Sequence, residues 1–276
     1  MTMTSETAPS TNMDLDKTTI TSVQNKILSF YDEHGRDLPW RQTHDPYNVW
    51  VSEVMLQQTQ VSRVIPKYEA WMDRYPDVHD AANASFADIL ELWDGLGYNN
   101  RAKWLHDACQ QVVDEHDGAL PRSADELQSL PGVGPYTARA IKIFAYNDDV
   151  VTVDTNIRRV LISELELDES LEEDDLYSVA EQLLPRGRSR EWHNALMDYG
   201  AAEATSAATG ISPTSTQSAF DGSVRQARGE ILRRLQNGPV TRDALNDAFP
   251  GRAEDAAQGL IDDGLVVEEN GELRLV

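Results

Sequence analysis

The sequence predicts a mainly α protein, an all-helical domain over 18–201 followed by a small α+β domain over 223–276. Three observations carry this. Apolar residues recur at helical spacing from Thr18 to about Gly200, with Gly, Pro and Asn as punctuation. Residues 202–222 (AEATSAATGISPTSTQSAFDG) are rich in Ala, Ser and Thr and lack apolar periodicity, as a linker does. After that stretch, three short amphipathic patterns give way to strict alternation around Asn270-Gly271, a strong short-range hairpin signal.

In chain order, residues 1–17 are polar and Thr/Ser-rich and are expected to be disordered. The spacing then predicts helices near 18–33, 46–57, 61–74, 85–93, 98–116, 123–129, 135–146, 155–165, 173–183 and 189–201. Only VVTV (150–153) reads as a strand, because three of its four residues are valine and the fourth is also β-branched. VRQARGEILRRLQ, TRDALNDAF and RAEDAAQGLIDD predict three short helices, and GLVVEENGELRLV closes them with a β-hairpin. Three helices ending in a hairpin resemble a winged helix.

Of the 276 residues, 40% are hydrophobic, enough to support a packed core despite the high charge. No apolar run reaches the length of a membrane span, and the N-terminus lacks a basic-then-apolar leader, so a soluble, intracellular protein is expected. The net charge of −23 argues against a partner rich in phosphate. It also fits a cytoplasm of very high salt, where an acidic surface maintains solubility and Coulomb steering is screened. The distribution favours the second reading. Residues 160–185 hold nine acids and no base, whereas residues 131–160 hold Arg139, Lys142, Arg158 and Arg159 against three aspartates. One cysteine, Cys109, excludes an intrachain disulfide and any cysteine-rich metal site, and no histidine pair has metal-ligand spacing.

Two features suggest chemistry. LPGVGPYTARAI (130–141) sets Gly132 and Gly134 just before a helix, so a tight backbone turn meets free N–H groups and the positive end of a helix dipole. The same pattern also serves as a plain interhelical turn. In LPWRQTHDPYNVWVSEVMLQQTQV (38–61), Glu53 is the one acid of a predicted helix that is otherwise largely apolar. A carboxyl on that face is desolvated and keeps its proton near neutrality, as a general acid must; a rim glutamate with its head in water satisfies the spacing too. Asp154 stands at the head of the helix starting near Thr155, where an N-cap position and the helix dipole favour the ionised form. One neutral and one charged carboxyl suit glycosidic cleavage, in which the leaving group takes a proton and the sugar develops positive charge.

These segments resemble a known family. LPWR, PYNVWVSEVMLQQTQV, LWDGLGYNNRA, LPGVGPYTA, VDTNIRRV and HNALMDYGA follow the order and spacing of the A/G-specific adenine DNA glycosylases (the MutY family) of the helix-hairpin-helix superfamily, over residues 18–201. The resemblance implies a two-lobed helix-hairpin-helix glycosylase domain that flips adenine, mispaired with 8-oxoguanine or guanine, out of duplex DNA. In that scheme Glu53 protonates the departing base, and Asp154 stabilises the oxocarbenium-like sugar with support from Asn156 and Tyr136. Arg36, Trp40, Arg41 and Leu56 match residues lining the base pocket. Gln58 and Tyr98 match residues that wedge into the base stack; for Trp40 and Tyr98, core packing is the alternative. Gly132, Val133 and Gly134 match the grip on a backbone phosphate. Strand-cleaving relatives similar to endonuclease III carry a lysine where this chain has Tyr136, so the resemblance implies a monofunctional enzyme.

The chain departs from the family in two places. Where most members carry a four-cysteine iron–sulfur loop after the segment matching MDYGA, residues 202–222 contain no cysteine, so no cofactor is expected. In place of the family's usual C-terminal domain stands the winged-helix pattern. Its third helix carries Glu254, Asp255, Asp262 and Asp263 against Arg252, a poor composition for reading a DNA groove. The expected protein is a halophile's monomer, cytoplasmic and nucleoid-associated, with mismatched duplex DNA as partner. A thymine–DNA mismatch glycosylase and a non-catalytic DNA-binding protein remain as alternatives, and Glu53 discriminates against both.

Overall fold

A computed structural model describes residues 14–212 and 221–276. Residues 1–13 of the N-terminal stretch predicted to be disordered, and 213–220 of the predicted linker, therefore lie outside the described residues. The chain divides into two compact units, one of residues 1–37 and 139–215, the other of residues 38–138 and 216–276.

The first unit is built on α1 (Lys17–His34), α9 (Thr155–Leu165), α10 (Glu173–Leu183) and α11 (Ser189–Ala202). Asp16 caps α1 by accepting from the N–H groups of Thr18 and Thr19, satisfying two of the donors a helix start leaves open. Ile27, Val160, Leu183 and Trp192 meet in its core, each at most 1% exposed. Within the stretch predicted to be a linker, α12 (Ser206–Thr209) is followed by Ile211, which packs on Ile162 and Leu176.

The second unit contains a 3₁₀ turn (Pro39–Arg41), α2 (Pro46–Leu56), α3 (Val61–Arg74), α4 (Val78–Asn83), α5 (Phe86–Trp93), α6 (Asn100–His116) and α7 (Ala124–Ser129). The helix α8 (Pro135–Tyr146) begins in this unit and ends in the first. Ser85 and Ser123, the first residues of two predicted helices, are N-caps, their hydroxyls accepting from Asp88 N–H and Glu126 N–H. Buried Trp50, Trp71 and Trp93 form the heart of the unit, and Trp71 donates to the Tyr47 hydroxyl at 2.8 Å.

The C-terminal residues of that unit follow winged-helix order: α13 (Val224–Leu235), β1 (Val240–Thr241), α14 (Arg242–Ala248), α15 (Ala253–Asp262), β2 (Val266–Glu269) and β3 (Glu272–Leu275). The antiparallel sheet has the order β1-β3-β2, with Val240 opposite Leu273 and Glu268 opposite Leu273 on the other side. Acids of α15 and its C-cap are engaged internally, Glu254 with Arg242 at 2.8 Å and Asp263 with Arg228.

Two expectations are corrected. VVTV forms no strand; the Thr152 N–H donates to His193 Nε2 at 3.2 Å instead of to a neighbouring strand. The helix expected from residue 98 starts at Asn100, because Tyr98 has φ +46°, a left-handed conformation that no helix continues.

Candidate active site

In the second unit, Asp45 and Pro46 start α2 as cap and first residue, with the Asp45 carboxylate accepting from Tyr47 and Asn48 N–H. From Val49 to Met55 every residue of α2 is buried, and Glu53 among them is 7% exposed. The carboxyl therefore sits inside the unit and not at its rim. Trp40 is also buried, with its ring edge-on to Tyr68 at 5.5 Å between centroids, so packing is part of its role. Arg41 and Leu56 are half-buried.

Gln58 and Tyr98 share an unusual backbone. Both are exposed, and both adopt positive φ, +53° and +46°. Neither is a glycine, so each conformation carries a cost that the surroundings must offset. Arg101, which sequence reasoning missed, supplies that support. Its Nη1 donates to the Val54 and Met55 carbonyls at 2.6 and 3.2 Å, and its Nη2 to Leu96 and Gly97 carbonyls at 3.3 and 3.1 Å and to Thr59 Oγ1 at 3.2 Å. The guanidinium also lies 5.3 Å from the Trp93 ring centroid and 5.7 Å from that of Tyr98. Burial pulls its pKa down to about 10, so it remains a cation at neutral pH. One signal was present: Arg101 adjoins Ala102 and Leu105 on the apolar side of α6.

The hairpin between α7 and α8 places Gly132 at φ +74°, where a side chain would be strained. A Cβ there would also stand 2.8 Å from Trp104 Cβ. Gly132 and Gly134 are exposed, while Val133 is 5% exposed and its N–H donates to the Leu130 carbonyl at 3.1 Å. Val133 is thus the hairpin's anchor and not one of its amide donors to an outside anion. Tyr136, in the first turn of α8, is half-buried, and its neighbour Thr137 accepts from Gln57 at 3.4 Å.

In the first unit, Asp154 caps α9, its Oδ1 accepting from Ile157 N–H at 2.7 Å and its Oδ2 from Asn156 Nδ2 at 3.2 Å. The Asn156 amide is oriented in turn by Arg159, whose Nη2 donates to Asn156 Oδ1 at 2.5 Å while its Nε donates to the Ala204 carbonyl at 2.8 Å. Because Oδ1 accepts the arginine's hydrogen bond, the amide NH₂ must face Asp154. The direction of the Asp154 shift is not the one that a cap and a helix dipole alone suggest: desolvation by burial raises the carboxyl from its ordinary value, outweighing the hydrogen bonds from Ile157 and Asn156 that pull it down. A cap alone suggested the opposite, since tertiary burial is not visible in local sequence.

Arg36, expected in the base pocket, belongs to the first unit. There its backbone N–H and Nε donate to the Asp198 carboxylate at 2.8 and 2.7 Å, and its Nη2 stands 2.6 Å from the same group. Asp198, 2% exposed, was not singled out in the sequence; it lies in the segment MDYGA. Gly200 of the same segment lets α11 approach α9, since a Cβ there would come within 2.9 Å of Asn156 Cβ and 3.0 Å of its carbonyl oxygen. Among the described residues, no group of His, Cys, Asp and Glu has the arrangement of a metal site.

The family model of the HhH-GPD superfamily base excision DNA repair proteins matches residues 51–185, a span holding Glu53, the glycine hairpin and Asp154. Within that class, the chain belongs to the adenine DNA glycosylase family. It is 39% identical over 267 residues to the adenine DNA glycosylase of Mycolicibacterium smegmatis, covering 87% of this chain and 91% of that protein. To the human adenine DNA glycosylase it is 41% identical over 203 residues, covering 69% of this chain and 37% of the human protein. Among solved structures, a thermostable thymine-DNA glycosylase superposes with a TM-score of 0.63 and 29% identity over 70% of this chain and 90% of that one. A trapped endonuclease III–DNA covalent intermediate, 20% identical, shares the fold with a TM-score of 0.62 over 73% of this chain and 92% of that one.

Proposed function

We propose that this protein hydrolyses the N-glycosidic bond of adenine mispaired with 8-oxoguanine or guanine in duplex DNA, and leaves the strand uncut. The observation that carries the reading is the burial of Glu53, 7% exposed on a helix without another acid. A shielded carboxylic acid can hand its proton to N7 of a flipped adenine, so that the C1′–N9 bond breaks with the electron pair leaving on the base. The Asp154 anion, steadied by Asn156 and Arg159, then faces the positive sugar, and water adds to C1′ with loss of a proton. Tyr136 has no amine for a Schiff base, which supports base release without lyase cutting.

Cys109 is the chain's one cysteine, and it is buried, with its thiol pushed up by desolvation. A single thiol of this kind does not fit a four-thiolate cluster, and no step here is routed through one. The reading is thus of an iron-free enzyme, a monomer acting on DNA in the cytoplasm. The net charge of −23 supports a working medium of molar salt. No helix among the described residues is long and apolar enough to cross a membrane.

The test uses duplexes holding A opposite 8-oxoguanine, A opposite G, and T opposite G, at low and at molar KCl, each followed by hot alkali. Alkali-dependent cleavage at adenine is the expected result. Cleavage confined to the T·G duplex would turn the assignment to thymine, and binding without cleavage of any duplex would remove the enzyme reading.

A further inference from the structure

Five of the six tryptophans are at most 8% exposed, but Trp104 on α6 is 41% exposed. A single exposed aromatic side chain is ordinary; it becomes informative when its neighbours extend it into a surface. Trp104 does not stand alone on its surface. Its Cβ and Cε3 lie 2.8 and 3.3 Å from where a Cβ on Gly132 would be, so the indole rises beside the exposed glycine turn of the hairpin. Hairpin backbone and indole form one continuous surface. The adjacent cation, Lys103, is engaged with Asp107 at 2.5 Å, so the patch offers little net charge.

We propose that Trp104 is a DNA-binding residue, its indole lying against the sugar-phosphate backbone of the strand whose phosphate the hairpin holds. The proposal rests on the base-excision reading above. The chemistry fits the chain's charge. Lysine and arginine contacts to phosphate weaken steeply with salt because they release counterions. An indole face against deoxyribose, with Nε1–H available to a phosphate oxygen, involves no ion pair, and apolar contact does not weaken with salt in that way. A chain of net charge −23 needs contacts of this kind to hold DNA in molar salt.

The experiment measures acrylamide quenching of tryptophan emission in the full-length protein with and without the duplex holding A opposite 8-oxoguanine. Trp104→Ala serves as the blank, and labelled-duplex anisotropy gives affinity. Alanine keeps the Cβ that packs over Gly132, so the fold is expected to survive, and thermal melting checks it. Expected are loss of the quenchable emission when duplex binds and at least about fivefold weaker binding by Trp104→Ala. The slope of log affinity against log[KCl] should stay unchanged, because no ion pair is removed. Trp104→Phe should restore part of the affinity. Duplex binding that leaves Trp104 quenchable and the alanine variant's affinity intact overturns the proposal while sparing the proposed function. Shielding that depends on protein concentration without DNA overturns it in favour of a second copy of the chain. No duplex binding by the wild type removes both readings.

Discussion

Arg101 donates to the Val54 carbonyl at 2.6 Å and so ties the last turn of α2 to the first turn of α6. The same guanidinium reaches Met55, Leu96 and Gly97, the carbonyls flanking the two exposed left-handed residues Gln58 and Tyr98. A helix end leaves carbonyls without partners, and here one buried cation serves both segments. Replacing Arg101 by Leu should cost about 2–4 kcal/mol of unfolding free energy, because several buried carbonyls lose their donor at once. Lysine, a single point charge, should recover only part of that loss. Urea unfolding of the two variants checks the order; equal stability of wild type and Arg101→Leu would show that the carbonyls find other partners.

Glu53→Gln keeps the shape and the burial of the side chain but removes its titrating proton. If Glu53 is the general acid, single-turnover adenine release should fall by about 10²–10⁴-fold while duplex affinity stays within a few-fold of wild type. Parallel losses of affinity and rate would instead point to a disturbed α2.

The Asp154 carboxyl is raised by desolvation, which makes an opposing demand on stability and activity. A raised folded-state value means that the folded protein holds the proton more tightly than the unfolded chain. The resulting stability is complete below the ordinary aspartate pKa and is lost as pH rises through the folded value. At neutral pH the buried anion is therefore a burden, so Asp154→Asn should melt at a higher temperature than wild type while base release collapses. The acid limb of the wild-type rate profile should lie above the ordinary carboxylate range. An Asn variant that melts lower at neutral pH would contradict the desolvation argument.

His193 works in the opposite direction. It is 1% exposed, its Nδ1 faces the Ser189 carbonyl at 2.7 Å, and its Nε2 accepts the Thr152 N–H at 3.2 Å. Acceptance at Nε2 requires the neutral ring, and burial holds its pKa down at about 4. The associated stability is present above the unfolded histidine value of about 6.5 and declines as pH falls from there toward the folded value. Over that window the loss should approach about 3 kcal/mol, at roughly 1.4 kcal/mol per pH unit. Melting curves between pH 7 and 4 should show it, and His193→Gln, which accepts without titrating, should flatten this part of the profile.

Much of the architecture was legible because helix starts advertise themselves chemically. Asp45-Pro46, Ser85, Ser123 and Asp154 all mark caps or first turns where the structure has them. The misses have physical causes. Helix α4, six residues long, was not predicted, although Asp77 stood ready as its cap. VVTV has strand propensity but no strand to pair with, and propensity yields to partners. At Tyr98 no residue type announces a left-handed φ, since asparagine or glycine would be the usual signal. For the site, the carboxyls themselves were readable from their setting. The supporting residues were not: Arg159, which orients Asn156 beside Asp154, Asp198, which binds Arg36, and Arg101, which binds the carbonyls at the end of α2, act across long sequence separations or against backbone carbonyls, which a linear pattern does not display.

Gly200 separates two effects that a sequence argument would merge. In the last turn of α11, glycine is a poor residue for helix stability, and alanine should gain up to about 1 kcal/mol on propensity alone. The added Cβ, however, would stand 2.9 Å from Asn156 Cβ, 3.0 Å from the Asn156 carbonyl oxygen and 3.1 Å from Val160 Cγ2. Two of these neighbours belong to the residue that orients the Asp154 carboxylate, and a backbone oxygen cannot swing aside as a long side chain does. Overpacking of this kind costs about 1–3 kcal/mol, so the clash outweighs the propensity gain. Gly200→Ala should therefore lower the melting temperature and slow base release, with duplex affinity little changed. A more stable and fully active variant would mean that α11 shifts without moving Asn156, and the close helix approach would then have no bearing on the aspartate it was inferred to set.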